Sequence, residues 1–278
     1  MRLAYRTEGT PGDKPLVLIR GLSTQMIEWS QPLLDRLVLS GHYVILFDNR
    51  DVGLSGDGIE SRDGGLAYTI HDMAADIVGL LDHLKITSAH IAGMSMGGMI
   101  AQRAGLAFPE RIRSITSIMS SSGRPSLPPP TTEAMFYLTA TPDDPTDLEQ
   151  VLRLGVEGRL CFDGPGYPVE AEIHRANLKR AMERAYRPQG VQRQMAAIAA
   201  DTDRFEKLAE LRVPTMVIHG TGDALIPLAH GLDTANSIPE ARMEVVEGMG
   251  HAIPDSLAPL ISDLIESHTG DVEGRRAS

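Results

Sequence analysis

Gly93-Met94-Ser95-Met96-Gly97 decides the reading of this chain. It spells G-x-S-x-G between the apolar run Ala89-His90-Ile91-Ala92 and the helix-like stretch Gly98-Met99-Ile100-Ala101-Gln102. A serine on a strained, tight turn from strand to helix has its hydroxyl exposed as a nucleophile. Glycines two residues to either side remove the Cβ atoms that would collide across such a bend. At the start of a helix the serine also lies beside backbone N–H groups that lack intrahelical partners and can stabilise developing negative charge. The stretch predicts a nucleophile elbow with Ser95 at its tip.

Such a serine needs a general base and a group to orient that base. In the fold that uses this elbow the acid follows the serine and the histidine comes last. Asp223 stands where the apolar run Met216-Val217-Ile218-His219 breaks into Gly220-Thr221-Gly222, and His251 where Val245-Val246 breaks into Gly248-Met249-Gly250. Both leave predicted strand ends on loops, where a rigid sheet can hold reactive groups. The segment after Ile115–Met119, the other place for the acid, offers only Ser120, Ser121 and Ser122. Of the nine histidines, the other eight read more simply as surface, strand or loop residues.

Outward from the elbow, short apolar runs (Leu16–Ile19, Val44–Phe47, His90–Ala92, Ile115–Met119, Met216–His219, Met243–Val246) alternate with helical patterns. The latter are carried by Leu33/Leu34/Leu37/Val38, by Met73/Ile77/Leu80/Leu81/Leu84 and by Leu257/Leu260/Ile261/Leu264. Alternation of this kind predicts an α/β fold, a mostly parallel sheet with helices on both faces. Phe108-Pro109 should end the helix after the elbow. After Gly123 the proline-rich Arg124–Pro130 opens a segment with helical patches at 132–138, 147–154, 169–186 and 190–200 and no convincing strand. This predicts a core in two parts, 1–123 and 207–278, with a helical cap, 124–206, over the strand ends that carry Ser95, Asp223 and His251. The polar tail 269–278 reads as frayed.

Composition fits one compact enzyme: 278 residues, 42% hydrophobic and 23% charged. The net charge of −11 argues against nucleic acid or an anionic membrane as partner. The single cysteine, Cys161, excludes an intrachain disulfide, and no Cys/His cluster suggests a metal, so neither cofactor nor metal is expected. No signal-like or membrane-length apolar run is present, which makes the cytoplasm the default location. Oligomeric state is not readable.

The elbow, Asp223 in Gly-Thr-Gly-Asp-Ala-Leu-Ile-Pro and His251 in Gly-Met-Gly-His-Ala resemble the α/β-hydrolase superfamily over nearly the whole chain. Asp48-Asn49-Arg50-Asp51-Val52-Gly53-Leu54-Ser55 is similar to the family's Asp-x-Arg-Gly-x-Gly-x-Ser turn, with Asp51 where glycine is usual. We read this turn as structural, stabilised by Arg50. That form and Gly-Met-Ser-Met-Gly together resemble the aclacinomycin methylesterase branch. The resemblance implies that Arg20-Gly21-Leu22 supplies the second oxyanion donor, the Leu22 N–H, beside that of Met96. Arg20 departs from the family's common His-Gly. No arginine or lysine cluster accompanies these loops, which disfavours a polar or phosphorylated substrate; Arg20 is the exception, with a solvent-facing side chain as its plain reading. Gly21, Met94 and Met249 are expected to line the substrate pocket, within a methionine-rich surround (Met26, Met96, Met99, Met119) suited to an apolar ester. The expected chemistry is a Ser-Asp-His hydrolase acting on a small, largely apolar carboxylic ester. The alternatives are the same triad on a carbon–carbon bond, lactone or amide, or a receptor-like module with little turnover.

Overall fold

In the computed structural model, which describes residues 1–58 and 66–277, seven strands form one sheet in the order β1-β3-β2-β4-β5-β6-β7. They are β1 (Tyr5–Glu8), β2 (Lys14–Ile19), β3 (His42–Phe47), β4 (Ala89–Met94), β5 (Ile112–Ile118), β6 (Thr215–Gly220) and β7 (Arg242–Val246). All neighbours run parallel except β1, which pairs antiparallel with β3 through Tyr5 opposite Phe47 and Glu8 opposite Val44. The helices in chain order are α1 (Gln31–Leu39), α2 (Ile70–His83), α3 (Met96–Ala107), α4 (Thr132–Thr139), α5 (Leu148–Phe162), α6 (Ala171–Arg184), α7 (Pro188–Ala199), α8 (Arg204–Lys207), α9 (Leu228–Ser237) and α10 (Ala258–Ala277).

Both sheet faces are covered, which is why the strands read as continuous apolar runs. Along β2, Val17 and Ile19 join Met73, Ile77 and Ile100 of α2 and α3, while Leu16 and Leu18 join Leu33, Leu37 and Ile261 of α1 and α10. Between β5 and β6 the described residues contain helices and no strand.

One strand has no counterpart in the apolar pattern: β1, with four residues and only one pairing edge, carries too little of it. Two expectations need correction. The tail is not frayed. Residues 269–277 continue α10, with Thr269 and Val272 buried; Ser278 lies outside the described residues. Thr269 Oγ1 bonds His42 Nε2 at 2.8 Å, and Glu273 takes Arg113 and His90 Nε2, each at 3.1 Å. Finally, Arg50 does not brace its own turn. Its guanidinium reaches out to Asp76 of α2 at 2.6 and 2.8 Å. The turn is knit by Asp48, whose carboxylate accepts from Met26 N and Leu54 N, both at 2.9 Å, and whose carbonyl accepts from Ser55 Oγ at 2.6 Å.

Candidate active site

Ser95 joins β4 to α3 with φ 56° and ψ −124°, a backbone state that costs a non-glycine residue roughly 1–3 kcal/mol. The neighbouring chain over-determines it. Ser95 N donates to Ile118 O of β5 at 2.9 Å, and Ser95 O accepts from Gly98 N at 2.9 Å and Ser120 Oγ at 2.8 Å. A Cβ on Gly93 would collide with the Gly97 carbonyl. One on Gly97 would collide with Ile19 O and stand 2.8 Å from Arg20 O. The two glycines therefore let α3 seat on the end of β2.

Asp223 and His251 meet at the ends of β6 and β7. His251 Nδ1 lies 2.8 Å from Asp223 Oδ2. Asp223 Oδ1 accepts from Leu225 N at 2.9 Å and Ile226 N at 2.7 Å, so both carboxylate oxygens are committed in a side chain wholly shielded from solvent. Behind them His219 donates from Nε2 to Ile226 O at 2.7 Å, bracing the same loop; burial holds its pKa below the ordinary value and keeps it neutral. The backbone N of His251 donates to Phe162 O at 2.7 Å, which ties the histidine loop to the end of α5.

Ser95 and His251 open onto one cavity of about 1470 Å³, walled on the sheet side by Gly21, Leu22, Met94 and Met96 and on the other by side chains of α4 to α7. Gly21 packs against the serine: a Cβ there would lie 3.4 Å from Ser95 Oγ. The Met96 N–H opens α3 and has no intrahelical acceptor. Of the pocket residues expected from sequence, Gly21 and Met94 line the cavity and Met249 does not. Met249 is fully buried in the core beneath β6 and β7, where its carbonyl accepts from Gly222 N at 3.0 Å. Met26 and Met119 are likewise core residues.

Arg20 is also corrected. Rather than facing solvent it is 7% exposed, lines the cavity, and places its guanidinium 5.0 Å from the Trp29 ring centre. Sequence reasoning missed the wall opposite: Phe162, Met195, Ile198 and the Asp163–His174 pair, whose atoms lie 2.8 Å apart. Only helical periodicity marked those segments, and it cannot say which face turns toward a cavity.

Helices α6 and α7 are fastened to the loops after β2 and β3 by polar contacts no local pattern announces. Asp51, at φ 66°, takes both arms of Arg193 at 2.8 and 2.9 Å, and Arg184 pairs with Asp48 at 2.8 Å. Gln194 accepts from Ser23 N and donates to Arg50 O, each at 2.9 Å, binding the loops after β2 and β3 to α7. Among the described residues no group of three or more His, Cys, Asp or Glu side chains is placed to hold a metal ion, and no helix is long and apolar enough to cross a membrane.

A mostly parallel sheet with a strained serine after its central strand, and an Asp–His pair at the ends of two later strands, defines an α/β hydrolase architecture. Residues 14–164 match the family described as alpha/beta hydrolase fold, and the chain belongs to that family. It is 31% identical to a rhodomycin D methylesterase of Streptomyces peucetius, over 94% of this chain and 92% of that one. It is 28% identical to a 2-hydroxy-6-oxononadienedioate/2-hydroxy-6-oxononatrienedioate hydrolase of Burkholderia vietnamiensis, over 90% and 85%. Among solved structures, a hydrolase from Pseudomonas aeruginosa superposes with a TM-score of 0.75 at 26% identity, covering 96% of this chain and 94% of that one.

Proposed function

We propose that this chain is a carboxylic-ester hydrolase that works through an acyl-enzyme on Ser95, with His251 as base and Asp223 as its orienting acid. The observation that carries the reading is the 2.8 Å His251–Asp223 contact in a cavity shared with a serine held at positive φ. The likeness to a methylesterase along nearly the full chain supports the ester as the bond cleaved.

Ser95 Oγ attacks the ester carbonyl while His251 Nε2 takes its proton. His251 Nδ1 keeps its proton and donates it to the Asp223 carboxylate as a hydrogen bond, and that carboxylate's charge stabilises the imidazolium. The tetrahedral oxyanion is received by the Met96 and Leu22 N–H groups. His251 then gives its proton to the departing alcohol, and water attacks the acyl-enzyme by the reverse roles.

The cavity is larger than the ~300–1,000 Å³ of common small-molecule sites, so a ring-containing or long apolar ester fits it better than acetate esters do. Residues 124–206 act as the cap that forms its far wall. Hydrolysis of p-nitrophenyl esters from acetyl to decanoyl tests the reading, with Ser95→Ala alongside. Multiple turnovers rising with acyl length and lost in the variant support it; turnover that survives Ser95→Ala overturns it.

A further inference from the structure

Among the charged side chains that line the cavity, Arg20, Arg159 and Glu28 act on one another electrostatically. Glu28 is fully committed. One of its oxygens accepts from Gln25 N at 2.7 Å and the other pairs with Arg159. Arg20 is left with weak acceptors. It reaches the Met94 thioether sulfur at 2.9 Å and the Thr24 hydroxyl at 3.3 Å, and among the described residues no carboxylate pairs with it. A buried guanidinium ordinarily takes a carboxylate or phosphate in its fork of donors, because its desolvation is otherwise uncompensated. Burial, partly offset by Glu28 and deepened by Arg159, pulls its pKa down to about 10, which leaves it charged at neutral pH. Trp29, 4% exposed and lining the same cavity, backs the guanidinium with its ring, whose centre lies 5.0 Å away.

We propose that Arg20 and Trp29 form an anion-recognising subsite in the cavity, so that the preferred substrate is an ester carrying a free carboxylate on an otherwise apolar body. The carboxylate accepts from the Arg20 guanidinium, which the Trp29 ring backs, while Arg159 and Glu28 neutralise each other and leave the three-residue cluster one net positive charge. Arg20 adjoins Gly21, the residue packed on Ser95, so the anion sits close to the scissile carbonyl. This rests on the esterase reading above and narrows its substrate class.

The test compares p-nitrophenyl hydrogen glutarate with p-nitrophenyl glutaramate, which share shape and differ in the terminal charge. Wild type should favour the acid by about 10-fold or more in kcat/KM, chiefly through KM. Arg20→Met should remove most of that ratio, and Arg20→Lys should keep part of it. A ratio near one in wild type, or one unchanged in Arg20→Met, overturns the subsite. Ser95-dependent turnover of the neutral amide alongside a flat ratio leaves the esterase reading standing while this one fails. If neither ester is turned over, binding decides. Trp29 is the only tryptophan, so its fluorescence reports the subsite directly. Saturable change on titrating monomethyl glutarate into wild type, absent with the neutral dimethyl ester and weakened in Arg20→Met, supports the proposal. No saturable change, or the same change with both probes, refutes it.

Discussion

Asp223→Asn separates orientation of the histidine from mere occupancy of the site. The Oδ1 position faces two donors, Leu225 N and Ile226 N, and tolerates only an acceptor. An asparagine oxygen must therefore stand there, which sets its NH2 where Oδ2 now lies, 2.8 Å from His251 Nδ1. A donor facing Nδ1 turns that nitrogen into an acceptor and moves the imidazole proton to Nε2, the atom that has to receive the Ser95 proton. Flipping the amide would cost two buried backbone hydrogen bonds, about 1–3 kcal/mol each. At about 1.36 kcal/mol per decade, the wrong tautomer is favoured roughly 30-fold to 10⁴-fold. Adding the lost stabilisation of the imidazolium, kcat should fall about 10²–10⁴-fold. KM should stay within about threefold, because Asp223 does not line the cavity. Steady-state rates on p-nitrophenyl butyrate, with a melting curve to show that the variant folds, read this directly. A folded Asp223→Asn enzyme within tenfold of wild type in kcat would refute the tautomer argument.

Gly97→Ala should fold poorly or lose activity, since its Cβ collides with the carbonyl end of β2 rather than with a movable side chain; a wild-type melting temperature and rate would contradict this. Asp51→Ala should destabilise by about 2–4 kcal/mol, somewhat below the ~3–5 of a fully buried pair because Arg193 is 23% exposed. Urea unfolding measures it, and a loss under about 1 kcal/mol would show that the clasp between turn and α7 contributes little. His42 is buried, and desolvation with Lys14 nearby pulls its pKa down to about 4. The unfolded chain therefore binds the extra proton between about pH 6.5 and 4, so stability should fall with pH there by up to ~1.4 kcal/mol per unit. Urea midpoints at pH 7, 6 and 5 should drop less steeply in His42→Gln; equal slopes would remove His42 as the cause.

What was legible in the sequence is what local geometry dictates. Gly93 and Gly97 flank Ser95 because backbone from β2 and α3 comes within contact of their missing side chains, and that need writes itself as G-x-S-x-G. The two later strand ends announce Asp223 and His251 because each apolar run stops abruptly in glycines. What stayed hidden depends on partners far along the chain. The polar tail folds into α10 because Thr269 and Glu273 find His42, His90 and Arg113. Met249 sits between glycines beside His251, yet its side chain turns into the core; sequence gives the backbone's place and not the direction of a side chain. Arg20 looked like a surface cation because its neighbours Trp29 and Met94 are brought to it only by folding.

The central claim is that Ser95 is the nucleophile, and covalent capture tests it most directly. Wild-type protein incubated with an alkyl fluorophosphonate should gain the mass of one phosphonyl group, with the adduct on the peptide containing Ser95. Activity toward a p-nitrophenyl ester should fall in step with that mass, and Ser95→Ala should take up none. An adduct on another residue, or esterase turnover that persists once Ser95 is fully modified, would contradict the account.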